Sequence, residues 1–559
     1  MDFNLGTIDI SIMVLYAVFI IGYGLYHAKR ESSEDYFLGG RSMTWPIVGI
    51  SLFAANISSS TLVGLAGAAF VANTHVYNYE WLAAVVLVFF AIFFLPFYLK
   101  SKVYTMPEFL ERRYDARSRY YFSFITIIGN VIIDTASGLY VGSIVLKLIF
   151  PDLSMVTIIT VLAFAAAAYT IPGGLNSVIQ TEVIQAILLV IGSCFLTYYA
   201  LDSIGGWEGM VASLNEMAAA GQITSEIQGG GTRNLKDAGE VLSLVRPAND
   251  AFMPWTGLLL GAPILGFYFW ANNQFMVQRV LGAKSINHGR WGALFAGLLK
   301  LPVILIMVIP GTAAIVMYQG QVIENSDDIY PRLLFDLLPT GMLGVVLAGL
   351  MAAMMSSVSA TFNSASTLIT MDFVQKLNPN MSSQQLVRSG QIATLVLVIL
   401  ASIWAPFIQR FGGLFEYLQF VLSFICPPIV AAFVLGLFWK RANANGAFYS
   451  LATGFILTVL LLVFKFGYGS EATGFVKTIN DVHFLHMCFY LFILCTVVHV
   501  VVSLSTDPPL AEKLEGYIWK KEIFVEETKE LETMPWYLNY RYQSVVLLIL
   551  TAVVVGYFW

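Results

Sequence analysis

Five charged residues lie inside segments of the chain that are otherwise apolar: Glu80, Asp134, Glu182, Lys300 and Glu416. A charge within a bilayer costs about 2.5 to 3.5 kcal/mol on insertion scales, so such residues mark binding sites and ion pathways by default. Four acids and one base cannot all pair with each other. The surplus of acids indicates that water reaches them, that a cation is bound, or that some of them are protonated. There are structural alternatives to a functional role. Glu80 and Glu182 could lie near a membrane interface, and Lys300 could extend its side chain to the inner surface.

A polar stretch, Ala54-Ala55-Asn56-Ile57-Ser58-Ser59-Ser60-Thr61, interrupts the apolar segment from Trp45 to Ala72. Side chains of Asn, Ser and Thr bond to nearby backbone groups in competition with a regular helix. We therefore predict that this helix opens partway across the membrane. Backbone freed at that depth is tolerated where it lines a cavity, and broken helices of this kind bind substrates and ions in transporters.

A second polar stretch runs from Met351 to Ser359 and combines small residues with hydroxyls. The hydroxyl of Ser357 is positioned to reach the carbonyl of Ala353, one helical turn earlier. Together with carbonyls freed near Ala54 and Ile57, these groups predict a neutral cage made entirely of oxygen atoms. Such a cage suits a hard monovalent cation better than a divalent one, which usually recruits carboxylates. Helix packing through small residues is the alternative.

The elements that carry these stretches are membrane helices. Of the 559 residues, 58% are hydrophobic and only 12% are charged, which predicts an all-α polytopic membrane protein with about fourteen transmembrane helices. Residues 1–559 are expected to form a single transmembrane domain, with no attached enzymatic domain and no basic, aromatic-rich patch for nucleic acid. Most Lys and Arg residues fall in every second loop, and loops rich in these residues lie on the inner side of a membrane. With an even number of spans, both termini are then predicted outside.

A second interrupted span, Pro254 to Leu281, contains Pro263 and Gly266 ahead of an aromatic and Asn-rich run. Two interrupted spans at corresponding positions of two halves are typical of inverted-repeat transporters, although Pro263 alone also fits a simple kink. The predicted organisation is a first helix at 9–28, repeat one at 45–201, repeat two at 254–440, and extra helices at 445–467, 483–504 and 542–558.

Several motifs resemble those of the sodium/solute symporters, and within that family the sodium/glucose cotransporter branch. They include Ser33 to Arg41 (SEDYFLGGR), Ser51 to Ser58 (SLFAANIS), Tyr79-Glu80-Trp81, Thr105 to Phe109 (TMPEF), Gly173-Gly174-Leu175 and Gly436 to Lys440 (GLFWK). The resemblance extends from about residue 8 to residue 505. It implies a LeuT-type 5+5 inverted-repeat core, secondary active transport rather than enzymatic activity, and sodium as the coupling ion without any other metal or cofactor.

The resemblance also implies two cation sites. The main sodium site takes the carbonyls of Ala54, Ile57 and Ala353 and the hydroxyls of Ser356 and Ser357. Some relatives hold a second cation with an acid at the position of Glu182 and a serine like Ser359.

For the solute, the resemblance implies a set of polar and aromatic positions. Those that match a sugar site are Asn56, Glu80, Lys300 and Gln419, with Trp270 and Phe415 as stacking walls, while Asp134 pairs with Lys300 or holds a hydroxyl. Amides and charged groups anchor sugar hydroxyls, and aromatic faces cover the C–H faces of the ring. Thr61 replaces the Gln or His of known sugar carriers, and Phe269 replaces an inner-gate Tyr, so inositol or another polyol fits as well as glucose.

The expected activity is sodium-driven uptake of a sugar or polyol by alternating access in a plasma or inner membrane. The partners are then the solute, sodium and the bilayer, with no obligate protein partner. Symport of an acidic sugar is the nearest alternative, and it predicts an Arg in the site because a carboxylate is best held by a bidentate cation. A channel or facilitator would transport the solute without accumulating it.

Overall fold

The computed structural model describes residues 5–28, 31–323, 325–406, 414–468 and 473–559, and leaves out the side chains of residues 132, 148, 414–417, 466 and 468. The described residues are helical almost throughout, with one short antiparallel hairpin. This composition of elements follows from the sequence, because a polypeptide inside a bilayer must satisfy its own backbone hydrogen bonds.

The first half of the chain contributes the helices up to residue 202. They are α1 (Thr7–Tyr26), α2 (Ser33–Leu38), α3 (Trp45–Asn56), α4 (Ser59–Ala72), α5 (Asn78–Phe89), α6 (Leu95–Ser101), α7 (Met106–Arg113), α8 (Ala116–Ile128), α9 (Ala136–Ile149) and α10 (Met155–Asp202). A connector follows with α11 (Gly206–Ala219), the strands β1 (Thr224–Glu226) and β2 (Thr232–Asn234), and α12 (Ala238–Leu242). Thr224 pairs with Asn234 in the hairpin register.

The second half begins with another interrupted region. Its helices are α13 (Trp255–Leu260), α14 (Ala262–Phe267), α15 (Gln274–Leu281), α16 (Ile286–Lys300), α17 (Ile309–Met317), α18 (Ile329–Leu337), α19 (Met342–Leu368), α20 (Gln375–Leu377), α21 (Ser383–Trp404) and α22 (Leu414–Phe438). The chain ends with α23 (Ala444–Leu462), α24 (Gly474–Asn480), α25 (Phe484–Ser505), α26 (Lys521–Glu532) and α27 (Tyr540–Tyr557).

The predicted break in the first polar stretch is confirmed. Helices α3 and α4 meet at an angle of 58°, and Ile57 leaves helical geometry with ψ at 86°. Ser58 restarts the helix, since its hydroxyl accepts a hydrogen bond from the Thr61 amide at 3.1 Å. The second predicted interruption also occurs, because Asn273 is extended between α14 and α15.

Six segments within or beside the long helices have π-helical geometry: Phe90–Phe94, Gly129–Thr135, Tyr268–Asn272, Ile304–Val308, Ile369–Val374 and Val463–Tyr468. Single π turns are rare and concentrate at functional sites. Two of these six, Gly129–Thr135 and Tyr268–Asn272, contribute residues to the cavity described below.

Ten of the described helical segments are long and apolar enough to cross a membrane, and two bent helix pairs raise that number to twelve. One of the ten, α10, has 48 residues and is about 72 Å long at the usual rise, enough for two crossings. Gly174 divides it with a positive φ of 56°. The interrupted region from α13 to α15 is the remaining predicted span, and fourteen crossings stay a prediction.

The predicted membrane segments pack side by side around the broken helices. Helix α10 packs against α19, α1 and α3, and α16 packs against α3 and α5. The small residues of α19, among them Ala352, Ala353 and Ser356, are all buried at these contacts. Close packing of this kind holds the backbone of the first break against α19.

Candidate functional site

A cavity with about 1030 Å³ of space between its atoms, including its opening, lies beside the break between α3 and α4. Its polar wall consists of Asn56, Ser58, Ser60, Thr61, Tyr79, Glu80, Asp134, Ser137, Ser357, Thr361 and Gln419. Its apolar wall consists of Ala55, Leu82, Ala262, Leu265, Gly266, Phe269, Trp270, Phe275, Leu418 and Leu422. A mixed lining of this kind is typical of small-molecule sites.

Two buried polar atoms in this wall have no hydrogen-bond partner within the described part of the chain. They are the side-chain oxygen of Asn56 and the hydroxyl of Ser137, and both residues line the cavity. Because buried polar groups are nearly always paired, unpaired groups that face a cavity are ready to bind a ligand.

The residues of the predicted sodium site are close together. The hydroxyl of Ser356 lies 3.4 Å from the carbonyl oxygen of Ala54, and the hydroxyl of Ser357 lies 3.1 Å from the carbonyl oxygens of Ala353 and Met354. Ile57, fully buried, forms the break beside them. The break and α19 therefore bring several uncharged oxygen atoms together, an arrangement that suits a hard monovalent cation.

The oxygen cluster and the cavity share a wall. Ser357 belongs to the cluster and also lines the cavity. Ser59, just after the break, donates a hydrogen bond to the carbonyl of Gly138 at 3.1 Å. The cavity and the oxygen cluster thus share the same few turns of backbone.

Glu80 and Lys300 form an ion pair beside the cavity. The Lys300 side chain is 1% exposed and is absent from the lining, whereas Glu80 lines it. The ammonium nitrogen lies 5.8 Å from the centre of the Trp270 ring. Lys300 therefore neutralises Glu80 rather than Asp134, which was the pairing considered from the sequence.

Asp134 has no ion pair and no hydrogen bond to any described residue. It lies in the π-helical segment Gly129–Thr135, is partly exposed, and faces the cavity. The next residue, Thr135, joins this segment to α19 through a 2.6 Å hydrogen bond between its hydroxyl and that of Thr361.

Glu182 and Ser359, the predicted second cation site, belong to different hydrogen-bond networks. Arg279 forms a bidentate ion pair with Glu182, and the hydroxyl of Ser51 also donates to that carboxylate. Ser359 instead donates to the hydroxyl oxygen of Tyr169 at 2.7 Å. The carboxylate of Glu182 is thus already neutralised by a protein cation.

The remaining predicted positions lie around the cavity. Trp270 is buried and forms a T-shaped contact with Phe269 at 5.5 Å between ring centres. The Thr61 hydroxyl donates to the Asn56 carbonyl at 3.1 Å, which closes one free carbonyl of the break. Gln419 lines the cavity, whereas the Phe415 side chain lies outside the described residues.

Ser137, Thr361 and Arg279 were not singled out from the sequence as site residues. Ser137 follows Asp134 by three residues, a spacing that places two side chains on one helical face. Arg279 lies on α15, directly after the second interruption. Only the fold reveals that Arg279 is the partner of Glu182, because 97 residues separate them.

The connector packs against the start of α5 through a buried charged cluster. Arg246 Nε donates to His75 Nδ1 at 3.1 Å, and His75 Nε2 lies 3.4 Å from Asp250. Burial alone would raise the pKa of Asp250, but the neighbouring His75 ring and the Met253 amide, which donates to the carboxylate at 2.9 Å, hold that pKa well below its ordinary value. Burial lowers the pKa of Arg246 to about 10. These contacts anchor the connector next to the cavity.

Three characterised relatives share about a third of their residues with this chain. The sodium/glucose cotransporter 4 of Danio rerio is 34% identical over 560 residues, spanning 96% of this chain and 84% of that protein. The sodium/myo-inositol cotransporter of Homo sapiens is 32% identical, spanning 95% and 78%. The sodium/mannose cotransporter SLC5A10 of Bos taurus is 34% identical, spanning 92% and 89%.

The fold is similar to that of a solved Na⁺-coupled sialic acid symporter in a substrate-bound, outward-open state. The TM-score is 0.75, with 21% sequence identity, and the match spans 90% of this chain and 99% of that one. At this identity the likeness concerns the fold, and it confirms the predicted all-α, LeuT-type architecture.

Residues 36–454 match the sodium:solute symporter family. With that match and the three relatives together, this multi-pass membrane protein belongs to the sodium:solute symporter family and is a transporter rather than an enzyme.

Proposed function

We propose that this chain couples the uptake of a small, neutral, polyhydroxylated solute to the sodium gradient by alternating access. Membership of the sodium:solute symporter family supports the coupling to sodium. The relatives named for glucose, myo-inositol and mannose support a sugar or polyol as the solute. We place the transporter in a plasma or inner membrane with both termini outside, on the basis of the distribution of Lys and Arg.

One observation carries this proposal: the break between α3 and α4 faces the oxygen cluster on one side and the cavity on the other. Ala54 lies next to the Ser356 hydroxyl at 3.4 Å, while Asn56 lines the cavity with an unpaired side-chain oxygen. Sodium held by the carbonyls of Ala54 and Ile57 orders the backbone that presents Asn56. The two ligands then raise each other's affinity, as linkage requires.

The cavity chemistry fits a neutral solute. Asn56 and Gln419 offer amides that both donate and accept, Glu80 offers a carboxylate, and Trp270 offers an aromatic wall. Sugar and polyol hydroxyls also donate and accept, so each can find a partner among these groups. Lys300 acts through Glu80 by pairing with its carboxylate and orienting it.

An acidic sugar is the alternative, and the fold shared with a sialic acid symporter keeps it open. Two features disfavour it. No Arg lines the cavity among the described residues, and the carboxylates of Glu80 and Asp134 both do. A solute carboxylate would meet like charges there without the bidentate cation that best holds it.

The direct test is uptake of labelled glucose, mannose and myo-inositol into proteoliposomes under an inward sodium gradient. We expect at least one of them to accumulate above its outside concentration, and accumulation to cease when the gradient is collapsed. Equal uptake in sodium, potassium and choline would contradict the proposal. Equilibration without accumulation would instead identify a facilitator.

A further inference from the structure

Asp134 differs from the other buried acids of the described helices. Lys300 neutralises Glu80, Arg279 neutralises Glu182, and Arg119 neutralises Asp372. Asp9, near the start of α1, accepts hydrogen bonds from the backbone amides of Gly341 and Gly344 instead. None of the described residues gives Asp134 either kind of partner. A carboxylate in a membrane cavity without compensation is costly, and a cation from solution can compensate it.

A second unpaired oxygen lies close along the helix. The Ser137 hydroxyl has no partner among the described residues, although Ser137 is 1% exposed, and it faces the same cavity as Asp134. Thr361 and Ser357 of α19 add hydroxyl oxygens to the same wall. The wall therefore presents one carboxylate together with several hydroxyl oxygens.

We propose that Asp134 and Ser137 hold a second sodium ion in the cavity wall, and that hydroxyls of the bound solute complete its coordination. The proposal rests on sodium-coupled uptake of a polyhydroxylated solute. Carboxylate and hydroxyl oxygens can coordinate one sodium ion together. The charge of that ion neutralises the Asp134 carboxylate while the solute is bound. This position is separate from Glu182 and Ser359, where Arg279 already supplies the positive charge.

The second ion has a measurable consequence for coupling. With one sodium at the oxygen cluster and another at Asp134, each solute molecule enters with two positive charges. An Asp134→Asn variant keeps the size and hydrogen-bonding capacity of the side chain but removes its charge. The second sodium is then lost while the oxygen cluster, built from other residues, is retained.

The experiment measures the ratio of ²²Na⁺ to labelled solute entering proteoliposomes, with whichever of glucose, mannose and myo-inositol supports uptake. We expect the ratio to fall by about half in Asp134→Asn. Ser137→Ala should keep the ratio but raise the sodium concentration for half-maximal uptake several-fold. The matched control is Ser143→Ala on the same helix, α9, because the Ser143 hydroxyl is buried, bonds to the Tyr140 carbonyl and lies outside the cavity lining.

Size-exclusion chromatography shows whether Asp134→Asn folds. If this variant does not fold, the sodium dependence of uptake by Ser137→Ala tests the second sodium site instead. An unchanged flux ratio in folded Asp134→Asn would overturn the proposal. Unchanged sodium dependence of uptake in Ser137→Ala would also overturn the proposal. Uptake driven partly by a proton gradient in place of the sodium gradient would overturn it as well. In these cases sodium-driven uptake itself persists. Its complete absence in the unmodified protein would refute the proposed function instead.

Discussion

Asp134 and Glu182 are both carboxylates within the membrane helices, yet they have opposite surroundings. Glu182 is fully buried, is paired twice with Arg279 and accepts a further bond from Ser51. Asp134 faces the cavity and has no partner among the described residues. The contrast shows that the fold neutralises one intramembrane acid with a protein cation and leaves the other facing the cavity.

Helix α19 reflects the same division. Ser359 joins the network of Tyr169 at 2.7 Å, whereas Ser357, two residues earlier, belongs to the oxygen cluster and the cavity. One side of the helix is therefore satisfied by protein groups, and the other presents oxygen atoms to a ligand. The variants below test whether this division is real.

Removing one partner of the Glu182 pair should have the largest effect. Arg279→Met leaves a buried carboxylate without compensation, which costs about 3–5 kcal/mol of stability. The double variant Glu182→Gln with Arg279→Met should recover most of that loss, because no charge remains buried. Thermal unfolding of the purified variants measures both. Sodium-dependent stabilisation of the Arg279→Met variant, equal to its deficit, would instead make Glu182 a cation ligand.

Lys300→Met should have a smaller effect on stability and a large one on transport. It leaves Glu80 uncompensated, but the cavity hydrates that carboxylate, so we expect a loss of about 1–3 kcal/mol. Solute uptake should fall strongly because Glu80 then loses the cation that orients its carboxylate. Uptake and unfolding measured on the same preparation test this. Normal uptake by Lys300→Met would remove the ion pair from the solute site.

Ser357→Ala should affect sodium rather than folding. Loss of one oxygen ligand, at about 1–2 kcal/mol, raises the half-maximal sodium concentration by about 5- to 30-fold. Ser366→Ala is the matched control, since its hydroxyl is also buried on α19 and, among the described residues, donates to the Asn363 carbonyl at 3.0 Å. The sodium dependence of uptake separates the two variants. Identical curves for both would exclude Ser357 from the sodium site.

Thr61→Val should have the smallest effect. The substitution removes the hydroxyl that donates to the Asn56 carbonyl at 3.1 Å and keeps the shape of the side chain. We expect a change in solute KM of about two- to fivefold, corresponding to roughly 0.5–1 kcal/mol, at unchanged sodium dependence. Thr394→Val on α21 serves as the control, because its hydroxyl bonds within the helix to Gly390. A shift in sodium dependence would show that Thr61 supports the ion site.

Much of the architecture could be predicted from the sequence because hydropathy and polar interruptions are local signals. The break at Asn56 and Ile57 and the interruption at Asn273 both followed from such signals. Partner assignment could not be predicted in this way. Lys300 with Glu80 and Arg279 with Glu182 are separated by 220 and 97 residues, so their pairing depends on how the helices pack.

Helix packing also explains why two residues of the cavity wall were not predicted from the sequence. Ser137 and Thr361 looked like ordinary small polar residues of membrane helices, for which packing is the usual role. Their position in the cavity wall depends on the π-helical turn at Gly129–Thr135 and its contact with α19. No periodicity in the sequence marks that turn.

The central claim is that sodium and solute are coupled through the backbone between Ala54 and Ile57. The most direct measurement is the Kd of the purified protein for its solute across a series of sodium concentrations, with choline keeping the ionic strength constant. The Kd should decrease as sodium rises, and Ser357→Ala should need more sodium for the same decrease. A Kd that is equal in sodium and in choline would contradict the coupling.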